Sequence, residues 1–439
     1  MNIISDDLGN WRRTHYSIDL KPELDNNNVI VFGWVSSIRS QGGIIFLIIE
    51  DKDGKIQVTA KKNEVTKNVF NKMKKLVPHT SIGVKGIVKA IKKAPNSAEI
   101  IPNSLKILGF ARLSPPFNLQ EKKLPRIDKR LEIRAVDLRR DAAQSIFKIR
   151  RVALQSIRNH FINGGYFEVN TPKIISSATE GGAALFPLLY YNKEAFLTQS
   201  PQLYKEELVM AFEKVFEIGP AFRAEQSRTL GHLSEFVSLD VEEAYVDYKD
   251  IISEIEAMTK KVIKEVRKKC KDELSSLSIE LEDSEFKKYT YDEVLSLLNE
   301  EGFKMEWGED FSSEAQKILG KINPSYYFIT DWPSQSKPFY IKPREDDANI
   351  SESFDFMHST LEMASGGSRI NNKRDLEKKM KEKSLNPKSF EYHLKVYEYG
   401  MPPHAGFGLG FERFIMTLTQ QKNIREVAFF PRDQFHLKP

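Results

Sequence analysis

Cysteine is almost missing from this 439-residue chain: Cys270 is the single one. That excludes an intramolecular disulfide and any thiolate cage for a metal. Cys270 itself reads as a small side chain on a lysine-rich helix. No apolar run reaches the roughly 18 residues needed to cross a bilayer. The N-terminal stretch MNIISDDLGNWRRTHYS lacks the charged-then-apolar order of a secretory signal. A soluble, cytoplasmic protein without membrane contact is therefore expected. The chain also has no G-x-x-x-x-G-K-[ST] loop. In GFGLGFERF, Gly406, Gly408 and Gly410 alternate, and Phe411 stands where a G-x-G-x-x-G fingerprint needs its third glycine. The two commonest nucleotide-binding folds are thus excluded.

The charge that is present is unevenly placed. Residues 1–108 hold 17 Lys and Arg against 10 Asp and Glu, whereas the remainder holds 49 against 51. A basic front can be a solvated lysine-rich surface or an electrostatic footprint for nucleic acid.

The front also differs in pattern. VIVFGWVSSI, GIIFLIIED, KIQVTA, SIGVKGIVKAI and AEIIPNSLKIL are short, Val/Ile/Phe-rich runs bounded by turn residues. EDKDGK carries the Asp-Gly of a tight hairpin, and EVTKNVFNKMKKL has helical spacing. Five strands with a helix after the third are the layout of an oligonucleotide-binding (OB) barrel, assigned to residues 1–108. A proline-marked hinge at 109–140 leads to a second domain at 141–439. That domain opens on an apolar-periodic helix stopped by Gly164-Gly165. Irregularly spaced strands follow, interrupted around 250–320 by a largely helical insertion. Within the insertion Ile251, Ile255, Met258 and Val262 form one stripe. The spacing does not suit a βαβ series, so the expected class is α+β: a mainly antiparallel sheet flanked by helices.

Two stretches carry chemistry. In AFRAEQSRTLGHLSEF, Arg223 and Glu225 fall on one side of a strand, and a loop with Arg228 and His232 leads to Glu235 and Phe236. This pattern suits a ligand with negative charge beside a hydrogen-bonding edge. In GFGLGFERFIMTL the alternating glycines suit an extended strand against which something flat can lie. Arg413 follows in the first turn of a helix, where the helix dipole disfavours a cation unless an anion or stacking partner is near.

Together these pieces resemble class II aminoacyl-tRNA synthetases, most nearly aspartyl-tRNA synthetases of the archaeal or eukaryotic type, over nearly the whole chain. GGYFEVNTPKI is similar to the family's first motif, which builds a homodimer interface around a proline, here Pro172. AFRAEQSRTLGHLSEFVSLDVE is similar to the second motif and GLGFERF to the third. The resemblance implies that L-aspartate reacts with ATP to give an adenylate and is then joined to tRNA(Asp). It implies that Arg223 holds the α-phosphate, Glu225 reads the adenine edge, Phe236 and Arg413 sandwich the base, and His232 touches the β/γ end, with Gly410 beside the nucleotide. Gly231 stands where the family often has arginine; Arg228 is the candidate to compensate. Asp355, Glu362 and Ser365 match the Mg²⁺ site. Glu180 and Gln202 match residues for the substrate α-amino group, and Lys205 and Arg369 those for its side-chain carboxylate. Asparaginyl enzymes share this architecture but typically lack the lysine at 205, and a chain that only bound RNA would need none of the phosphate-handling residues. In the barrel, Arg39, Phe46 and Gln57 match anticodon-reading positions, although Phe46 also has the composition of a barrel-core residue. Ser36 stands where strict archaeal-type members have tryptophan, which implies relaxed selection and charging of tRNA(Asn) as well.

Overall fold

The computed structural model describes residues 5–119, 121, 123–176, 185–224, 229–281 and 284–438. It separates into two compact units, Met1–Asn118 and Leu119–Pro439.

The first unit is a closed five-stranded barrel of β1 (Asn28–Gln41), β2 (Ile44–Glu50), β3 (Lys55–Lys61), β4 (Ser81–Ala90) and β5 (Ala98–Gly109), in the order β1-β2-β3-β5-β4. Alternation decides its inside. Ile45, Leu47 and Ile49 are buried among Val29, Val58 and Ile100, and the residues between them face outward. Asp51 closes the β2–β3 hairpin by accepting from the backbone N–H groups of Asp53 and Gly54. The helix Lys67–Lys74 is capped by Thr66 and buries Val69 and Met73 against the barrel.

The second unit is built on an eight-stranded sheet. Its strands are β6 (Phe167–Glu168), β10 (Lys214–Phe222), β11 (Glu235–Ala244), β12 (Lys287–Thr290), β13 (Tyr326–Thr330), β14 (Ser353–His358), β15 (Leu361–Ser368) and β16 (His404–Gly410). The spatial order is β12-β13-β14-β15-β16-β11-β10-β6. Every adjacent pair is antiparallel except the two at the edges, β12 with β13 and β10 with β6. A smaller sheet joins β7 (Ile174–Ile175), β8 (Pro187–Tyr190) and β9 (Lys193–Leu197). The helices Asp141–Asn163 and Tyr248–Lys269 bury Ile149, Ile157, Ile255, Met258 and Val262 in one core with Phe407, Leu409 and Phe414. Gly165, at φ +80°, takes the left-handed conformation that ends the first of these helices. The region around 250–320 holds the helices Tyr248–Lys269, Lys271–Leu277, Tyr291–Glu300 and Ser313–Ile322, and it also contributes β12 to the sheet edge. Cys270 is not inside a helix: it sits buried at the junction of Tyr248–Lys269 and Lys271–Leu277, where burial pushes its thiol up to about 11.

Candidate active site

The sheet makes the floor of the site by an omission. Residues directly across neighbouring antiparallel strands share a face. One such row runs Asp355, Ser365, Gly408, Asp240 and Glu217. Because side chains alternate, Gly406, Gly408 and Gly410 leave β16 bare on that face, while Phe407 and Leu409 pack into the core on the other. Gly408 and Gly410 line a cleft of about 270 Å³. At Gly406 the protein fills the space itself, since a Cβ there would collide with the Glu242 carboxylate.

At one end of the cleft stand Arg223, His232, Phe236, Glu362 and Arg413. Arg223 follows β10, where its backbone N–H extends the hairpin to Ser234, and its guanidinium lies 5.5 Å from the Phe236 ring centre. Arg413, in the first turn of the helix Phe411–Thr419, donates to Gly231 O (3.0 Å) and Glu362 O (2.8 Å), and its Nη2 lies 2.8 Å from His232 Nε2. His232 Nδ1 is bonded in turn to Thr229 Oγ1. Glu412, next to Arg413, is anchored beneath by Arg150 (2.9 Å) and accepts Val237 N–H (2.9 Å), which fixes the helix start against β11. Burial, and after it the Asp355 charge, hold the Glu362 carboxyl above the usual range. Asp355 is itself clamped by Lys337, whose Nζ reaches both of its oxygens at 2.8 Å. Ser365 lines the cleft opposite Asp355.

At the other end lie Gln199, Ser200, Gln202, Asp240 and Arg369. Arg369 forms a two-pronged pair with Glu242, Nε to Oε1 at 2.9 Å and Nη2 to Oε2 at 3.1 Å. Lys205 does not line the cleft. Its buried ammonium donates to Asp240 Oδ1 (3.1 Å) and Phe407 O (2.9 Å) and lies 3.4 Å from Glu242. The two cations expected to grip a substrate carboxylate are thus already engaged by Asp240 and Glu242. Sequence reasoning gave neither acid a role. Their signal is two carboxylates two residues apart on one face of a strand, with the apolar Leu239 and Val241 on the other. Gln199 was also missed: it is 1 % exposed, and both of its amide atoms lack a hydrogen-bond partner among the described residues. Glu180, Glu225 and Arg228 lie outside the described residues.

In the barrel unit, Arg39 sits opposite Phe46 and Gln57 opposite Ile48, which places Arg39, Phe46 and Gln57 on the outer face. Phe46 is half-buried and stays out of the core formed by its neighbours Ile45 and Leu47. Arg39 is exposed, and its Nη2 donates to Gln41 (3.1 Å). Gln57 donates to Glu99 (2.7 Å) and Thr59 (3.2 Å). Ser36 falls where the β1–β2 register shifts between Val35 and Ser37, the position a bulge re-aims.

The cleft is suited to an anionic ligand held by charge and shape, in a chain that also carries a nucleic-acid-type barrel. Residues 126–434 match the family described as class II tRNA synthetases (D, K and N), and residues 29–108 match the OB-fold nucleic acid binding domain. The chain belongs to the class II aminoacyl-tRNA synthetases. It is 48 % identical over 432 residues to the Aspartate--tRNA(Asp/Asn) ligase of Methanocaldococcus jannaschii, covering 98 % of this chain and 99 % of that one. It is 46 % identical over 435 residues to the protein of the same name from Methanothermobacter thermautotrophicus, covering 98 % and 100 %. Among solved structures, the asparaginyl-tRNA synthetase of Pyrococcus horikoshii complexed with asparaginyl-adenylate superposes with a TM-score of 0.92 at 32 % identity, covering 98 % and 100 %. The aspartyl tRNA synthetase of Entamoeba histolytica gives 0.86 at 29 %, covering 97 % and 92 %.

Proposed function

We propose that this enzyme activates L-aspartate with ATP and transfers it to tRNA(Asp) and also to tRNA(Asn). The observation that carries the reading is the bare glycine strand flanked by arginines, Arg223 and Arg413 at one end and Arg369 at the other. A flat base and a polyphosphate fit the first end, and a small zwitterion fits the second. The relatives named Aspartate--tRNA(Asp/Asn) ligase support the choice of substrates.

In this reading Arg223 and Arg413 stabilise the charge that develops on the α-phosphate and the leaving pyrophosphate as the aspartate carboxylate attacks in line. This is catalysis by position and preorganised charge, with no covalent intermediate on the enzyme. Phe236 offers its ring to the adenine, and His232 the loop contact at the far phosphates. Glu225 would read the adenine edge, and Glu180 together with Gln202 would take the α-amino group. Glu362 with Ser365, backed by Asp355, fits Mg²⁺. Burial and the neighbouring Asp355 charge raise the proton affinity of the Glu362 carboxyl, and a divalent cation relieves that repulsion. Among the described residues no three acidic, His or Cys side chains converge, so such an ion would complete its shell with phosphate oxygens and water, as Mg²⁺ does. Bound there, it supplies charge neutralisation to the phosphates.

Asparagine is the second reading, favoured by the full pairing of Lys205 and Arg369 with Asp240 and Glu242. ATP–pyrophosphate exchange run separately with aspartate and asparagine distinguishes them: exchange confined to asparagine overturns the aspartate reading. Arg39, Phe46, Gln57 and Ser36 are assigned to the anticodon, by stacking and edge recognition of unpaired bases.

The chain is further expected to be a homodimer. Phe167 in β6 is 54 % exposed and packs on the exposed Phe212, with ring centres 4.9 Å apart, and Ile174 nearby in sequence is also exposed. Apolar side chains left uncovered in the GGYFEVNTPKI region, with the Phe212 ring beside them, suit a two-fold interface. Sedimentation should give twice the chain mass, and a stable, active monomer contradicts the assignment.

A further inference from the structure

Behind Gln202 lies a buried acid to which neither the sequence nor the proposed mechanism gives a task. Glu206 is one helical turn on from Gln202 in the helix Gln202–Phe212 and is fully buried. Gln202 Nε2 lies 2.6 Å from Glu206 Oε1, and Tyr397 Oη 2.6 Å from Glu206 Oε2. His393 Nε2 is 3.4 Å from the same Oε2 and His404 Nε2 is 4.0 Å away. His393 Nδ1 is also 3.0 Å from Glu207, and His404 Nδ1 contacts Pro402 O at 2.8 Å. Tyr397, His393 and His404 are all buried.

Which way an amide points is ambiguous until its neighbours are known. Here the neighbour settles it. An ionised carboxylate only accepts hydrogen bonds, so the Gln202 atom facing Glu206 must be the NH₂ group. The remaining Gln202 atom, Oε1, is then the acceptor this side chain can offer to the cleft it lines. Had a donor stood at 206, the amide would turn and offer NH₂ instead, which repels an ammonium.

We infer that Glu206 is a positioning residue of the amino-acid end: by taking the Gln202 amide hydrogen, and being held itself by Tyr397 and His393, it fixes Gln202 Oε1 as an acceptor for the α-ammonium of the substrate. This rests on the reading of Gln202 as an amino-group contact. The ionisation it requires is supported by the surroundings. Burial alone would raise the Glu206 carboxyl, but the His393 contact and charge, with His404 and Arg369 beyond, bring it down to about 2. Burial would lower His393, and Glu206 and Glu207 raise it to about 9.

The test is pyrophosphate exchange with wild type, Glu206→Met, Glu206→Gln, Gln202→Leu and the double variant Glu206→Met/Gln202→Leu. It is combined with inhibition by succinate, which is aspartate without its amino group. Glu206→Met should raise KM for aspartate about 10- to 100-fold, the loss of a hydrogen bond to a charged group. KM for ATP and inhibition by succinate should stay within about twofold. Glu206→Gln keeps an acceptor oxygen and should recover most of the affinity. Adding Glu206→Met to Gln202→Leu should cost nothing further, because the two act in series. The inference is overturned if Gln202→Leu weakens aspartate and Glu206→Met does not, if the two losses simply add, or if succinate weakens in parallel. If Gln202→Leu leaves aspartate KM unchanged, the amino-group reading fails instead. Should Glu206→Met fail to fold, Tyr397→Phe loosens the same carboxylate without a cavity. It should raise aspartate KM severalfold without affecting succinate, and equal effects on both overturn the inference.

Discussion

At the Arg369 end of the cleft, Lys205, Arg369, Asp240, Glu242 and Glu206 answer one another in a buried cluster. At the Arg413 end, the guanidinium leans on two backbone carbonyls and a histidine, and Arg223 on an aromatic face. The first arrangement is closed: adding a ligand means exchanging one partner for another of like charge, which rewards only a ligand of matching shape and sign. The second is open onto the cleft: Arg223 and Arg413 line it near the Glu362 carboxylate, and an incoming phosphate adds charge-assisted hydrogen bonds to them. The difference assigns discrimination to one end and rate to the other, and substitutions at the two ends should fail in different ways.

The largest effect is expected at the open end. Arg223→Ala should slow adenylate formation by on the order of 10²- to 10³-fold, as removal of a preorganised charge contact does. Binding of tRNA should remain nearly unchanged, because the barrel is a separate unit. Filter binding beside pyrophosphate exchange checks both, and parallel loss of the two would refute the phosphate role.

Next comes the closed end. Lys205→Leu should raise KM for aspartate about 10- to 100-fold, for a charge-assisted hydrogen bond of roughly 1.5–3 kcal/mol, with ATP affected far less. It should also lower the melting temperature, because Asp240 and Glu242 would be left buried with less positive charge, whereas Arg223→Ala should not. An unchanged aspartate dependence removes the argument that this lysine selects the substrate.

Smaller again is a pH effect. A histidine raised from its ordinary 6.5 to about 9 contributes stability that is complete below 6.5 and gone once pH passes about 9. A glutamate lowered from 4.5 to about 2 contributes above 4.5 and loses its share as pH falls towards 2. The groups facing the pair are Glu207, Tyr397, His404 and Arg369. The melting-temperature gap between wild type and His393→Gln should therefore be widest between about pH 4.5 and 6.5 and should narrow above it. A gap independent of pH contradicts the buried ion pair.

Some of this architecture is written locally in the sequence and some is not. The barrel was legible because its strands are short Val/Ile/Phe-rich runs bounded by turn residues and its hairpin carries Asp-Gly. The glycine floor was legible because period two is visible in GFGLG. Arg369 and Lys205 could be placed by motif, but their pairing with Asp240 and Glu242 could not. Those contacts join β11, β16, the strand end after β15 and a distant helix, and no local pattern encodes which acid meets which cation. Glu206 was hidden for the same reason: Tyr397 and His393 lie nearly 200 residues beyond it.

The smallest effect concerns the barrel, where the comparison turns from amino acid to tRNA. Aspartate and asparagine tRNAs differ at the last anticodon base, so strictness depends on how firmly that base is held. Ser36 sits at the β1 bulge, a point where the strand re-aims its side chains, close in sequence to the outward Arg39 and on the strand paired with Phe46. A serine offers little stacking area, and stacking on an aromatic ring is worth about 1–3 kcal/mol per base. Its presence should let both tRNAs be charged, with efficiencies within about tenfold, a gap of 1.4 kcal/mol or less. Ser36→Trp should restore a rigid wall and lower charging of the asparagine transcript by about fivefold, the low end of what one base contact discriminates. Adenylate formation should be untouched, since the active site belongs to the other unit. Steady-state aminoacylation of the two purified transcripts by wild type and Ser36→Trp decides it. A wild-type enzyme that charges the asparagine transcript a hundredfold less well than the aspartate one would show that other residues on the barrel enforce the choice.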